Sequence, residues 1–324
     1  MTYLLLIIGL AMLLAGANYL VDASVAIAKR AKISNFIIGI TIVGMGTSLP
    51  ELFVSASSAI DGYGDMSVGN VVGSNICNIF LILGITAIIA PFAVTRQNLI
   101  RDIPFGVFAS ILLLLLCSDK IFPRIEYNEI GRMDSIVFLL IFIGYITFAI
   151  YQSHKEQQSM KENEEIATST LTGRPAALLW AIAIVSLAVL LYGGNLFLDN
   201  VVAVAKLWGM SEKVISLTIV AVGTSLPELI TCIIAATKNN PQLALGNVIG
   251  SNIFNILFIL GFSAMLKPIQ LAGINYVDFG VMILASVLTF VCAFTFKKRM
   301  IDRTEGIIFV AIYILYTAYL LIWN

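Results

Sequence analysis

The chain has 324 residues, 59% of them apolar and 12% charged, with a mean hydropathy of +0.97 and a formal net charge of zero. A soluble domain of this length would lack the polar surface to cover such long apolar runs, whereas a bilayer accepts apolar side chains on the outside of a fold. Zero net charge gives no attraction to nucleic acid, and four widely spaced cysteines (Cys77, Cys117, Cys232, Cys292) inside apolar segments form neither a disulfide framework nor a zinc pair, so they read as packing residues.

In chain order, hydropathy predicts membrane helices near 3–28, 35–60, 67–91, 103–118, 133–151, 174–203, 211–237, 243–266, 278–296 and 304–323. No basic residue precedes the first of these and it exceeds the length of a signal-peptide apolar region, so it is expected to stay in the mature protein. Five segments precede the stretch 152–173 and five follow it. That stretch is rich in Glu, Lys, Gln and Ser without apolar periodicity, contains the sole histidine, His154, and reads as a flexible linker. The expected organisation is a five-helix unit over 1–151, a linker over 152–173 and a second five-helix unit over 174–324. Thirteen of the 19 Lys and Arg residues fall on the side of the linker, so the linker is expected to be cytoplasmic, both termini outside, and the location the cell (inner) membrane.

The sequence repeats itself at one offset of 177 residues. Gly46-Thr47-Ser48-Leu49-Pro50-Glu51-Leu52 recurs without change as Gly223-Thr224-Ser225-Leu226-Pro227-Glu228-Leu229. The run Gly69 to Gly84 recurs as Gly246 to Gly261, keeping Asn70, Ser74, Asn75 and Asn78 as Asn247, Ser251, Asn252 and Asn255, and Asn18 and Asp22 fall on Asn195 and Asp199. An odd number of helices per unit makes the second unit enter the membrane from the opposite side. The expected fold class is therefore an all-α membrane protein of ten transmembrane helices arranged as two inverted five-helix repeats, with a site near the midplane where matching elements meet.

Glu51 and Glu228 lie deep in apolar segments, where an ionised side chain costs several kcal/mol unless it meets water, a partner or an ion. Helical spacings of three and four put Gly44, Thr47, Ser48, Glu51, Ser55 and Ser58 on one face, and Ala221, Thr224, Ser225, Glu228 and Thr231 on its counterpart. Pro50 and Pro227 lack an N–H, so the carbonyls of Gly46 and Gly223 should lose their helical donors. The partner helices present Asn70, Ser74 and Asn78, and Asn247, Ser251 and Asn255, each trio at spacings of four. Gly69/Gly73 and Gly246/Gly250 form GxxxG patterns suited to close packing. These stripes offer carboxylates, hydroxyls, amide oxygens and carbonyls. Oxygen-only ligation suits hard cations such as Ca2+ and Na+ and disfavours zinc or copper. Asp22 and Asp199 lie towards helix ends beside basic residues, where interfacial pairing is expected rather than ion binding.

At these motifs the sequence resembles the cation/calcium exchanger superfamily, and is most similar to its compact prokaryotic sodium/calcium exchangers, over essentially the whole chain. The resemblance implies ten helices, alternating access and four ion positions around the two glutamates. Glu51 and Glu228 would be central ligands, supported by Thr47, Ser48, Thr224, Ser225, Ser74 and Ser251 and by backbone carbonyls such as that of Ala221, with Gly44, Asn78 and Asn255 completing the candidate set. Some relatives carry an aspartate at the position of Asn255, which would have to take up a proton to match the charge that an amide holds permanently.

The expected function is secondary-active exchange of Ca2+ for Na+, electrogenic and exporting Ca2+. A Ca2+/H+ or K+-dependent exchanger of the same fold is the alternative within the class, and a cation channel or ion sensor the alternative outside it. The chain is expected to be no enzyme. It should need no cofactor and no obligate protein partner, with Ca2+, Na+ and the lipid bilayer as its ligands and surroundings.

Overall fold

A computed structural model describes residues 1–118, 128–159, 169–210, 215, 219, 221–271, 276–292, 294–295 and 299–323. The long Leu-, Ile-, Val- and Ala-rich run at the start forms α1 (Thr2–Ala31). It stops at Lys32, which takes the left-handed conformation (φ 52°), with Lys29 and Arg30 in the last turn beside the negative end of the helix dipole. Ser34 then opens α2 (Asn35–Thr47), its Oγ accepting the Ile37 N–H at 3.3 Å. The predicted segment 35–60 is in fact two helices. α2 ends at Thr47 and α3 (Leu49–Asp61) leaves at 49° to it.

There follow α4 (Gly64–Ile89), α5 (Asn98–Leu116), α6 (Arg132–Ser159) and α7 (Ala176–Leu207). A short turn Ala221–Gly223 leads into α8 (Leu226–Thr237), and α9 (Pro241–Leu266), α10 (Tyr276–Cys292) and α11 (Arg303–Trp323) complete the order. Residues 211–214, 216–218 and 220 of the predicted segment 211–237 lie outside the described residues. Among the described residues, seven helices are long and apolar enough to cross a bilayer and the α2/α3 pair makes an eighth. α8 and α10 are shorter apolar helices of 12 and 17 residues.

The start of the predicted linker needs correction. α6 continues through Gln152 to Ser159, because Gln, Lys and Glu are good helix formers and carry the helix past its apolar part. His154 therefore stands on a helix; 160–168 lie outside the described residues. Ser169–Gly173 form a turn fastened to α1, where Ser169 Oγ donates to the Asp22 carbonyl at 2.8 Å and Thr170 Oγ1 to the Asp22 carboxylate at 3.1 Å.

α4 and α9 occupy the centre. Their apolar windows are 72% and 94% buried, against 17% for α11. α9 reaches α2 through its glycines: a Cβ at Gly246 would stand 2.2 Å from the Phe36 carbonyl oxygen and one at Gly250 2.4 Å from Ile40 Cα. No described atom lies within 4 Å of a Cβ built at Gly69 or Gly73. By the repeat offset, the segment matching Phe36 to Ile40 is 213–217, largely outside the described residues. Two small antiparallel ladders close the connections, β1 (Phe92–Ala93) with β4 (Met300–Ile301) and β2 (Asn128–Ile130) with β3 (Ile269–Leu271). β1 follows α4 as β3 follows α9.

Polarity is inverted relative to a soluble protein. Phe53, Leu140 and Ile184 are exposed, while Glu51 and Glu228 are 1% and 0% exposed. All four cysteines are buried, in keeping with packing.

Candidate cation site

Both copies of the Gly-Thr-Ser-Leu-Pro-Glu run break their helix at the serine. Ser48 (φ −83°, ψ 13°) and Ser225 (φ −88°, ψ 8°) adopt matching bridge-region conformations, and each following proline occupies the first turn of a new helix, where a missing N–H costs nothing. The glutamate comes one residue after that proline, so each carboxylate stands at the start of a helix pointing into the interior.

The serine of one break holds the glutamate of the other. Ser48 Oγ donates to Glu228 Oε1 at 2.8 Å, and Ser225 Oγ donates to Glu51 Oε1 at 3.2 Å. Ser74 Oγ adds a longer contact to Glu51 Oε1, 3.5 Å. Asn70 anchors α4 to α3 by donating to the Glu51 carbonyl (3.3 Å) and to Ser55 Oγ (2.9 Å). Asn247 does the same on α9, reaching the Glu228 carbonyl (3.5 Å) and Cys232 Sγ (3.2 Å). Cys232 thus takes the place of Ser55 at the repeat offset.

α4 and α9 each pass through a wide π-helical turn, Cys77–Leu83 and Phe254–Ile259, at the level of the site. At the start of these turns stand Asn78 and Asn255. Asn78 Nδ2 donates to Asn252 Oδ1 and Asn255 Nδ2 to Asn75 Oδ1, both at 3.0 Å. On the first half, Thr47 Oγ1 lies 3.3 Å from Asn247 Oδ1, and the Gly44 carbonyl receives Ser251 Oγ at 3.2 Å and the Ser48 N–H at 3.2 Å. Thr224 lies in the break itself, and Ala221 begins the turn that leads into it.

The expected candidates fall into distinct groups of contacts. Hydrogen bonds tie Glu228 to Ser48 and Glu51 to Ser225 and Ser74, and a second set ties Asn78 to Asn252 and Asn255 to Asn75. The oxygens of Gly44, Thr47 and Ser251 are engaged with one another or with Asn247. Sequence reasoning gave no site role to Asn75 and Asn252. Their signal was present, since both recur at the repeat offset inside the same Gly-Ser-Asn motif.

Glu51 Oε2, Glu228 Oε2, Asn78 Oδ1 and Asn255 Oδ1 are buried and have no hydrogen-bond partner among the described residues. A buried polar atom left unpaired costs about 1–3 kcal/mol, more when charged. All four can accept a hydrogen bond, as from water, or coordinate a cation. Among the described residues no group of three or more His, Cys, Asp or Glu side chains gathers.

Asp22 is not part of this centre. It is bound to Lys238 Nζ at 2.7 Å, which also donates to the Asn18 carbonyl, while Asp199 is exposed on α7.

Fold and site together define a helical membrane protein whose two buried glutamates are each held by the helix break of the other half. The sequence matches the family described as sodium/calcium exchanger protein over residues 1–151 and 178–322, and the chain belongs to that family. Putative antiporter CaxA of Alkalimonas amylolytica is 36% identical over 316 residues, 96% of this chain and 95% of its own length. Sodium/calcium exchanger MaX1 of Methanosarcina acetivorans is 31% identical and covers 96% of each chain. A solved structure of the sodium-calcium exchanger NCX_Mj superposes with a TM-score of 0.81 at 32% identity, covering 98% of this chain and 97% of its own.

Proposed function

We propose that this protein exchanges Ca2+ for Na+ across the cell (inner) membrane by alternating access, and that it exports Ca2+ electrogenically. The observation that carries the reading is the set of four buried oxygens on Glu51, Glu228, Asn78 and Asn255 that have no partner among the described residues and that a hard cation would complete. Thr47, Ser48, Ser74, Thr224, Ser225 and Ser251, with the carbonyls of Gly44 and Ala221, are the further ligands. Ten crossings in two inverted repeats, 1–151 and 174–324, fit the 177-residue offset. The paired reciprocal contacts between the two helix breaks support this arrangement. The K/R bias supports external termini and a cytoplasmic 152–173 connection.

Ca2+ and Na+ compete for overlapping ligands. An empty centre holds two uncompensated buried charges, which raises the barrier to switching and prevents leak. Two ionised glutamates carry −2, so one Ca2+ neutralises the centre and three Na+ leave it at +1. At that stoichiometry a tenfold Na+ gradient supplies about 1.4 kcal/mol per ion and 100 mV about 2.3 kcal/mol for the net charge. Their sum, roughly 6.5 kcal/mol, sustains a Ca2+ ratio of between four and five decades.

The test is Ca2+ uptake by purified protein in vesicles with Na+, K+ or H+ gradients imposed one at a time. Uptake driven by Na+ alone is expected. Uptake driven by H+, or requiring K+, would replace this reading with the alternative exchangers, and a sustained single-channel current would replace it with a channel.

A further inference from the structure

Resting on the exchanger reading, we propose that Asn75 and Asn252, which that scheme does not use as ligands, are positioning residues that turn the side-chain oxygens of Asn78 and Asn255 toward the transported cation. A primary amide is nearly symmetric in shape and opposite in electrostatics at its two ends: its oxygen accepts a cation and its NH2 repels one. A buried asparagine ligand is useful only if something settles which end faces the ion. At positions 78 and 255 the NH2 groups are taken up by Asn252 Oδ1 and Asn75 Oδ1, both at 3.0 Å. The Oδ1 atoms are left without a partner among the described residues.

The acceptors are themselves fixed. Asn75 Nδ2 donates to the Asn252 carbonyl at 3.2 Å, and Asn252 Nδ2 donates to the Asn75 carbonyl at 3.4 Å. Each of these two amides therefore has its nitrogen on the opposite backbone and its oxygen on the opposite ligand. Rotating either one by half a turn would face NH2 against NH2 and carbonyl against carbonyl. The four side chains form one clasp that closes only where α4 and α9 cross, so each half of the chain orients the amide ligand of the other. Asn75 and Asn252 are 1% and 8% exposed, and Asn75 Nδ2 also contacts Met282 Sδ at 3.9 Å, which leaves these amides little room to turn.

The clasp makes an asymmetric prediction. Asn75 acts through Asn255 and Asn252 through Asn78, across the molecule and not along the helix. In vesicles carrying the full chain, Asn75→Ala is expected to raise the Ca2+ KM roughly tenfold while Vmax changes less than about twofold, because one neutral ligand is lost and the carboxylates remain. Calorimetric Ca2+ binding should show that Asn75→Ala adds nothing in an Asn255→Ala background and multiplies with Asn78→Ala. The mirror pair, Asn252→Ala with Asn78→Ala or Asn255→Ala, should behave in the opposite sense. A substitution that merely loosens the helix crossing would multiply with both partners alike, or lower Vmax at constant KM, and either result overturns the proposal. If the alanine variants do not fold, leucine replacements, closer to asparagine in volume, carry the same cycle. Absence of Na+-driven Ca2+ uptake in the unsubstituted protein would remove the exchanger reading itself, whereas multiplicative effects with uptake intact would remove only the clasp.

Discussion

Ser48 and Glu228 lie 180 residues apart in the chain and share a 2.8 Å hydrogen bond, while Ser225 makes the corresponding bond to Glu51 at 3.2 Å. Each acid is thus held by the helix break of the other half. The centre cannot be assembled by one half alone, which gives a physical reason for two copies of a seven-residue run to stay identical while their surroundings diverge.

Removing one acid should separate function from folding. Glu228→Gln keeps the shape and a partner for Ser48 but halves the charge facing the cations. Loss of one partner of a buried charge pair is worth about 3–5 kcal/mol, so Ca2+ uptake should fall by at least two orders of magnitude. Without ions the substituted protein should melt higher than the original, because an uncompensated buried carboxylate is gone. The thermal shift on adding Ca2+ should vanish. A lower ion-free midpoint would contradict this account of the glutamate.

The two serine contacts should differ in weight. A hydrogen bond to a charged group contributes about 1.5–3 kcal/mol, and the shorter Ser48 contact should stand at the upper end. Ser48→Ala is expected to weaken Ca2+ affinity by more than tenfold and Ser225→Ala by less, measured by calorimetry on the same preparation. Equal losses would mean that the difference between 2.8 and 3.2 Å carries no energy.

The acids, the proline-induced breaks and the polar stripes were legible because each is a local anomaly: Glu51 and Pro50 stand out within an apolar run, and their recurrence at Glu228 and Pro227 removes coincidence. The roles of Asn75 and Asn252 were not legible. Their contacts run across the crossing of α4 and α9, and no pattern along either helix states which amide faces which. The engaged state of the Gly44 carbonyl was hidden for the same reason, since one of its donors is Ser251, 207 residues away. The end of α6 was misplaced because hydropathy reads the edge of the bilayer, whereas Gln152 to Ser159 stay helical by propensity.

The contact of α9 with α2 is a backbone-on-backbone approach with no slack. A methyl at Gly246 would stand 2.2 Å from the Phe36 carbonyl oxygen, an atom that cannot rotate away. Gly246→Ala should destabilise the protein by about 3 kcal/mol. Because Asn247 follows directly and holds the Glu228 carbonyl, Ca2+ affinity should fall as well. A variant that melts normally but binds weakly would place the effect in the site alone and count against the packing argument.

Asp22 should prove dispensable for ion binding. Its pair with Lys238 is part-exposed and should contribute no more than about 1 kcal/mol. Asp22→Asn is expected to leave the Ca2+ KM within twofold and to lower the melting point slightly. A tenfold rise in KM would instead assign Asp22 to the ion route.

The charge count at the centre bears on electrical behaviour. On the proposed exchange, with Asn78 and Asn255 as amides, Glu51 and Glu228 are the ligands that bring charge, so a Ca2+-loaded centre would be neutral and one loaded with three Na+ would carry +1. Each cycle then moves one net charge, and 100 mV is worth about 2.3 kcal/mol, or roughly a fiftyfold change in the Ca2+ ratio at equilibrium. Vesicles clamped with a K+ gradient and valinomycin should show Ca2+ uptake in exchange for internal Na+ that accelerates when the interior is made positive and slows when it is made negative. Installing a third carboxylate through Asn255→Asp should make that potential dependence vary with pH, because the centre then alternates between two charge counts as the new group gains or loses a proton. A Ca2+ flux that ignores the membrane potential in the unsubstituted protein would require two Na+ per Ca2+ and would sink the three-to-one assignment.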